Sequence, residues 1–136
     1  MFKRIFLDTN PIIYFLENEQ GFGDTVKNFL AEAIVNGSEF YTSTITDAEF
    51  LVRPYQNGDF GAIEAYEIFL KNLNVLKCFV TDKIAESAAK IRAKYSSVKL
   101  GDSLQLAASI DCGCDCFYSN DSRLKQVIEA NVIYFG

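Results

Sequence analysis

The chain has 136 residues, 49% of them hydrophobic, 14% aromatic and 23% charged, a balance that excludes a disordered segment and lets one core form without disulfide or metal staples. Eighteen acidic against thirteen basic residues leave a formal net charge of −5, which argues against a broad basic face gripping nucleic acid but permits local contacts. There is no histidine, which removes the usual zinc ligand and the Ser-His triad, and no apolar run reaches the roughly 18 residues of a membrane span, so one cytoplasmic domain over residues 1–136, with no membrane contact, is expected.

The first predicted strand covers about residues 3–8, where Ile5, Phe6 and Leu7 form a short apolar run. Asn10-Pro11 then reads as a helix N-cap followed by proline at the first helical position. Asp8 therefore closes a buried strand. In open α/β sheets ligands bind outside the carboxyl ends of strands, so Asp8 is a candidate site residue; a turn-forming aspartate is the equal alternative on this stretch alone.

"DTVKNFLAEAIVNG" carries an apolar helical stripe of Val26, Phe29, Leu30, Ala33 and Ile34 with Gly37 as a stop, and it is read as core. A second strand follows at about 38–42. In "STITDAEFLV", Glu49 has Ile45, Ala48, Phe50, Leu51 and Val52 around it, and a carboxylate so enclosed needs a partner, a proton or a cation. Asp47 faces elsewhere and is read as a favourable charge in the first turn. "RPYQNGDFGAIEAYEIFLKNL" reads as a helical hairpin, one helix ending near Arg53 and the next starting near Asp59, with Pro54 and Gly58 as breakers.

After a third strand at about 75–79, "TDKIAESAAKIRAKY" places Ile84, Ala88 and Ile91 on one helix face with Thr81 as N-cap. Its basic residues, Lys90, Arg92 and Lys94, with Lys99 beyond, read as a solvated face rather than a groove edge. "KLGDSLQLAAS" opens the next helix, with Leu104, Ala107 and Ala108 inward and Asp102 either its N-cap or a site residue. Cys78, Cys112, Cys114 and Cys116 are read as reduced core thiols, because the C-x-C-x-C cluster lacks zinc spacing and runs from a helix end into a strand. That fourth strand spans about 116–119 and a fifth about 132–135. In "FYSNDSRL", Asp121 repeats the situation of Asp8, with Ser119 and Asn120 as short polar neighbours and a cap or turn again the alternative.

Strands alternating with helices predict an α/β fold, a three-layer α/β/α sandwich around a mostly parallel central sheet of about five strands. Such a sheet would bring the four acids towards one edge. Clustered carboxylates raise one another's pKa unless a divalent cation neutralises them, and hard oxygen ligands suit Mg²⁺ or Mn²⁺. With no histidine and no glycine-rich phosphate loop, metal-assisted phosphodiester hydrolysis is the chemistry that remains.

Four stretches in order, "FLDTNPII", "STITDAEFL", "KLGDSLQLAAS" and "FYSNDSRL", resemble the PIN-domain ribonucleases, especially the VapC-type toxins of prokaryotic toxin–antitoxin pairs, over nearly the whole chain. The resemblance implies a PIN-like fold and a metal-dependent endoribonuclease cutting RNA. It makes Asp8, Glu49, Asp102 and Asp121 both catalytic and metal-holding, around Mg²⁺ with Mn²⁺ also supporting activity. Thr9, Ser119 and Asn120 would support them. Ser119 stands where the family more often has threonine, which keeps the hydroxyl. A partner antitoxin, seated in a groove among the early helices, and a homodimer are also implied. Lys3, Arg53, Lys99 and Arg123 lie near the motifs as candidate phosphate contacts, each by default a solvated side chain. A catalytically weak PIN-like module that binds RNA or protein is the alternative. Phosphate transfer through Asp8 fails, because Asn10 breaks the D-x-D pattern.

Overall fold

The computed structural model describes residues 1–17 and 21–136. In chain order its elements are β1 (Arg4–Leu7), α1 (Thr9–Glu17), α2 (Phe22–Val35), β2 (Glu39–Ser43), α3 (Thr44–Phe50), α4 (Val52–Asn57), α5 (Phe60–Asn72), β3 (Leu76–Cys78), α6 (Asp82–Lys94), α7 (Leu100–Asp111), β4 (Cys116–Ser119), a 3₁₀ turn (Ser122–Gln126) and β5 (Val132–Tyr134). Every strand lies within about two residues of its expected place.

The five strands form one parallel sheet in the order β3-β2-β1-β4-β5. Because successive side chains of a strand point to opposite faces, β1 feeds two cores. Ile5 and Leu7 pack with Ile12, Val26, Leu30, Tyr66 and Phe69 from α1, α2 and α5. Phe6 packs on the other side with Ile84, Ala88, Ile91, Leu106 and Ala108 from α6 and α7. The result is the three-layer α/β/α arrangement. Each large apolar side chain so enclosed contributes roughly 1.5–3 kcal/mol of transfer free energy. Stacked rings reinforce both faces of the sheet, Phe6 on Phe117 of the neighbouring strand at 5.3 Å between centroids and Phe29 of α2 on Tyr118 at 3.8 Å.

From β1 the chain moves outward through β2 to β3, then returns by α6 and α7 to lay β4 on β1's other edge, with Leu7 in register with Tyr118. The strand order thus reverses between β1 and β4. Doubly wound sheets place their ligands outside the carboxyl ends of the strands at such a reversal.

Several local expectations change. Helix α1 already begins at Thr9, whose amide donates to Asp8 Oδ1 at 2.9 Å, so Asn10 is inside the helix and not its N-cap. The expected hairpin contains an extra helix, α4: Pro54 sits in its first turn, where no amide proton is needed, Gly58 ends it at φ +60°, and Asp59 caps α5 by accepting from Ala62 N at 3.0 Å. On α2, Val26, Leu30 and Ala33 are core, but Ile34 is 54% exposed. The reduced-thiol reading is corrected for one pair. Cys78 ends β3 and Cys112 closes α7, and both pack on the α6–α7 face, so a disulfide joins residues 34 apart in sequence. Cys114 and Cys116 are free.

Candidate active site

Asp8 leaves β1 at the reversal point and is only 4% exposed. Its amide donates to Tyr118 O at 3.1 Å, which ties it to β4. One carboxylate oxygen accepts from Thr9 N, and the other accepts from Ser119 Oγ at 2.8 Å. Burial pushes the Asp8 pKa up to about 7; the Ser119 and Thr9 bonds oppose that rise, and the negative charges of Asp102 and Glu49 add to it.

Glu49 corrects the expectation of an apolar enclosure. It is exposed, facing an open cleft of about 550 Å³ that it lines together with Asn10, Tyr14 and Arg53, because α3 turns its apolar side, Phe50 above all, towards the sheet. Thr9 Oγ1 donates to Glu49 Oε1 at 2.6 Å. Asp47, two residues earlier, faces away as expected and does more than favour the helix dipole: it accepts from Tyr66 Oη at 2.7 Å and pairs with Lys77 Nζ at 2.9 Å.

Asp102 is the third residue of α7 and not its N-cap, a position Lys99 fills without a side-chain bond. Its carboxyl pKa is raised by partial burial and then by Asp121 and Glu49, with Arg123 and Lys99 opposing. Asp121 does cap the 3₁₀ turn, and its charge also acts on Asp102; its amide donates to Ser119 Oγ at 3.1 Å, while Arg123 donates to both of its carboxylate oxygens. Those hydrogen bonds hold the Asp121 carboxyl below its usual range.

The four acids thus come close enough for their charges to act on one another. Two expected neighbours do not join them. Asn120 Nδ2 donates to Tyr14 Oη at 2.8 Å, fastening β4's exit to α1. Lys3 sits at the amino end of β1, where its amide meets Asp115, at the wrong end of the sheet to reach a phosphate in the crevice. The basic stretch of α6 forms surface pairs, Lys90 with Glu86 and Lys94 with Glu129.

Sequence reasoning missed a buried polar network beneath the acids. Gln105 Nε2 donates to Thr46 Oγ1 at 2.7 Å and to Thr9 Oγ1 at 3.3 Å, and Ser43 Oγ donates to Gln105 Oε1. Thr42 Oγ1 lies 2.9 Å from Leu7 O and 2.8 Å from Thr46 Oγ1. With both Gln105 protons spent on threonine oxygens, the Thr9 hydroxyl is free to donate to Glu49. The signal was an amide inside the apolar run of "LQLAAS". Gly101 was also passed over: a Cβ there would stand 3.1 Å from Glu49 Oε2, so the Glu49 carboxylate would have to shift to make room for any side chain.

Carboxylate, hydroxyl and carbonyl oxygens are a donor set that fits Mg²⁺ or Mn²⁺, and a buried Asp8 beside two further acids is a place where a cation would be favoured. As arranged, however, among the described residues no three acidic or thiol side chains stand close enough to share an ion. Three of the four carboxylates are held by protein donors: Asp8 by Thr9 and Ser119, Glu49 by Thr9, Asp121 by Arg123.

A PIN domain family model matches residues 5–130. No curated protein matches the sequence. Among solved structures, the fold is similar to VapBC2 from Rickettsia felis bound to a DNA fragment from its promoter, with a TM-score of 0.80, 16% identity and coverage of 98% of this chain and 99% of that one. DNA-bound VapBC from Salmonella typhimurium follows at 0.74, with 18% identity and coverage of 97% and 98%. Mycobacterium tuberculosis VapC20, a sarcin-ricin loop cleaving toxin, gives 0.67, with 19% identity and coverage of 83% and 86%.

Proposed function

Because the chain belongs to the PIN domain family, we propose that it is a divalent-metal-dependent endoribonuclease that hydrolyses RNA phosphodiester bonds, and that it is the toxin of a toxin–antitoxin pair. The observation that carries this reading is Asp8, buried at the β1–β4 reversal with Glu49 and Asp102 near enough to raise its pKa. Asp8, Glu49, Asp102 and Asp121 are the residues that would hold Mg²⁺ or Mn²⁺. When bound, such an ion supplies Lewis-acid chemistry at the phosphate and the attacking water.

The chain's own contribution is positioning. Ser119 fixes one oxygen of Asp8, Thr9 fixes the other and also aims Glu49, and Gln105 fixes the hydroxyl of Thr9. Arg53 in the cleft beside Glu49, and Lys99 ahead of Asp102, would be the basic residues to meet phosphates along an RNA strand. Neither a side-chain nucleophile nor a covalent intermediate is required.

A protein partner is supported by an apolar groove of about 510 Å³ between α1, α2 and α5, lined by Phe15, Leu30, Ile34, Ile68 and Leu73 among others. An antitoxin segment seated there would cover side chains that are otherwise wet. A homodimer belongs to the same reading and is checked by sedimentation.

The deciding experiment is cleavage of total RNA by metal-stripped protein with Mg²⁺ or Mn²⁺ restored, beside Asp8→Asn. Cutting that needs both the metal and Asp8 upholds the proposal. A folded protein that cuts with no metal, or equally well as Asp8→Asn, defeats it, and one that binds RNA without cutting is the weak binding module instead.

A further inference from the structure

Asp8, Ser119 and Tyr134 stand in one row across the carboxyl ends of β1, β4 and β5. Phe6 and Phe117 belong to the α6–α7 core, so Asp8 and Ser119, two residues further along, lie on that side of the sheet, where Ser119 Oγ donates to Asp8. Ser119 is the register partner of Tyr134, and Val132, two residues before Tyr134, packs on the same core. Neighbouring strands lie about 4.8 Å apart, which puts the backbone of Tyr134 roughly 10 Å from that of Asp8.

Tyr134 is not used by the fold as its neighbours are. It joins neither core and is 40% exposed, and Lys125 Nζ stands over its ring, 5.2 Å from the centroid. Lys125 comes from the 3₁₀ turn that Asp121 caps, two residues beyond Arg123. Arg123 is spent on Asp121, whereas among the described residues Lys125 forms no salt bridge. An exposed ring with an ammonium beside it suits single-stranded nucleic acid, the ring offering a π-face to a base and the ammonium a charge to the adjoining phosphate. Stacking a base is worth more than an exposed cation–π contact, so the flexible lysine leaves the ring for the phosphate when the base arrives. With a net charge of −5 the chain has no broad basic face to draw on, and stacking carries a larger share of binding.

We propose that Tyr134 and Lys125 form a platform for unpaired RNA, on which the base of a nucleotide flanking the scissile bond stacks while Lys125 meets its phosphate. The proposal deepens the nuclease reading above and rests on it for the scissile bond lying at the acids. Both residues bind and position; neither touches the reacting atoms. Every base has a π-face, so the platform tolerates sequence and selects a strand whose bases are not already stacked in a duplex.

The chain has no tryptophan, so Tyr134→Trp places a lone fluorophore on the platform. A short unpaired RNA of mixed sequence, added to metal-stripped protein, should quench that fluorescence, and the same RNA annealed to its complement should quench it far less. Val35→Trp, at an exposed position where α2 ends ahead of β2 and so at the amino end of the sheet, should stay unquenched. By anisotropy of the labelled RNA, Tyr134→Ala should weaken binding about tenfold and Tyr134→Phe less than about twofold. Lys125→Gln should weaken it about threefold and flatten the slope of log affinity against log salt by about 0.7. Circular dichroism checks folding; should Tyr134→Ala not fold, Tyr134→Trp and Lys125→Gln still decide. No quenching of Tyr134→Trp, equal quenching of Val35→Trp, or a salt slope unchanged in Lys125→Gln overturns the proposal. Cleavage with metal restored judges the premise separately: quenching without cleavage sinks the nuclease reading and leaves an RNA-binding module, whereas cleavage without quenching removes the platform alone.

Discussion

At the scale of single residues, Asp8 has the clearest physical consequence. An unfolded chain releases this proton near the ordinary value of 3.8, whereas burial holds it in the fold to about pH 7. Between those values the folded state binds more protons, so metal-free protein loses stability as pH rises through that interval, by on the order of a few kcal/mol, and is flat above it. Melting temperatures from pH 4 to 8 should show this slope, and Asp8→Asn should lack most of it and melt higher than wild type at pH 8. A flat wild-type profile would remove the buried-acid description. Asp8 and Asp121 were legible in sequence because each follows a short apolar strand. The surroundings of Glu49 were not, since neighbours along a helix point in different directions and adjacency says nothing about which side faces the sheet. Asn120 sits in the bend after β4, where no period fixes a side chain's direction, and it turns to Tyr14 of α1.

Among the elements, α7 does the most for the crevice, and it does so partly through a side chain it lacks. Gly101→Ala should favour the helix by roughly 0.5–1 kcal/mol, since alanine is the better helix former, but its new Cβ would meet Glu49 Oε2 at 3.1 Å. The expected outcome is an unchanged or higher melting temperature with RNA cleavage down by about tenfold or more, because small displacements of a positioned group are costly to rate. Equal loss of both would mean that Gly101 matters only for packing. The strands and the longer helices could be read from period alone. The α3–α4–α5 stretch was read too coarsely because proline is compatible with a first turn as well as with a break. The Cys78–Cys112 pair was invisible, as nothing local signals that a strand end and a helix end meet.

For the whole molecule, the sheet order separates two surfaces: the acid crevice at the carboxyl ends of β1 and β4, and the apolar groove on the α1–α2–α5 face. Carboxylates introduced into the groove by Ile34→Glu with Ile68→Glu, both at exposed positions, should abolish retention of a co-purified protein partner and leave cleavage by the free protein within about twofold. Loss of cleavage as well would show that the two surfaces are not independent.

The same strand order also governs how the protein comes off the ribosome. Central β1 is synthesised first, but its second neighbour, β4, begins only at Cys116, so one flank of β1 stays open until that strand has been made. Until that late strand docks, Asp8 has neither Ser119 beside it nor Asp121 across from it. The acid crevice is therefore assembled only when the later-made half of the sheet closes on the first strand.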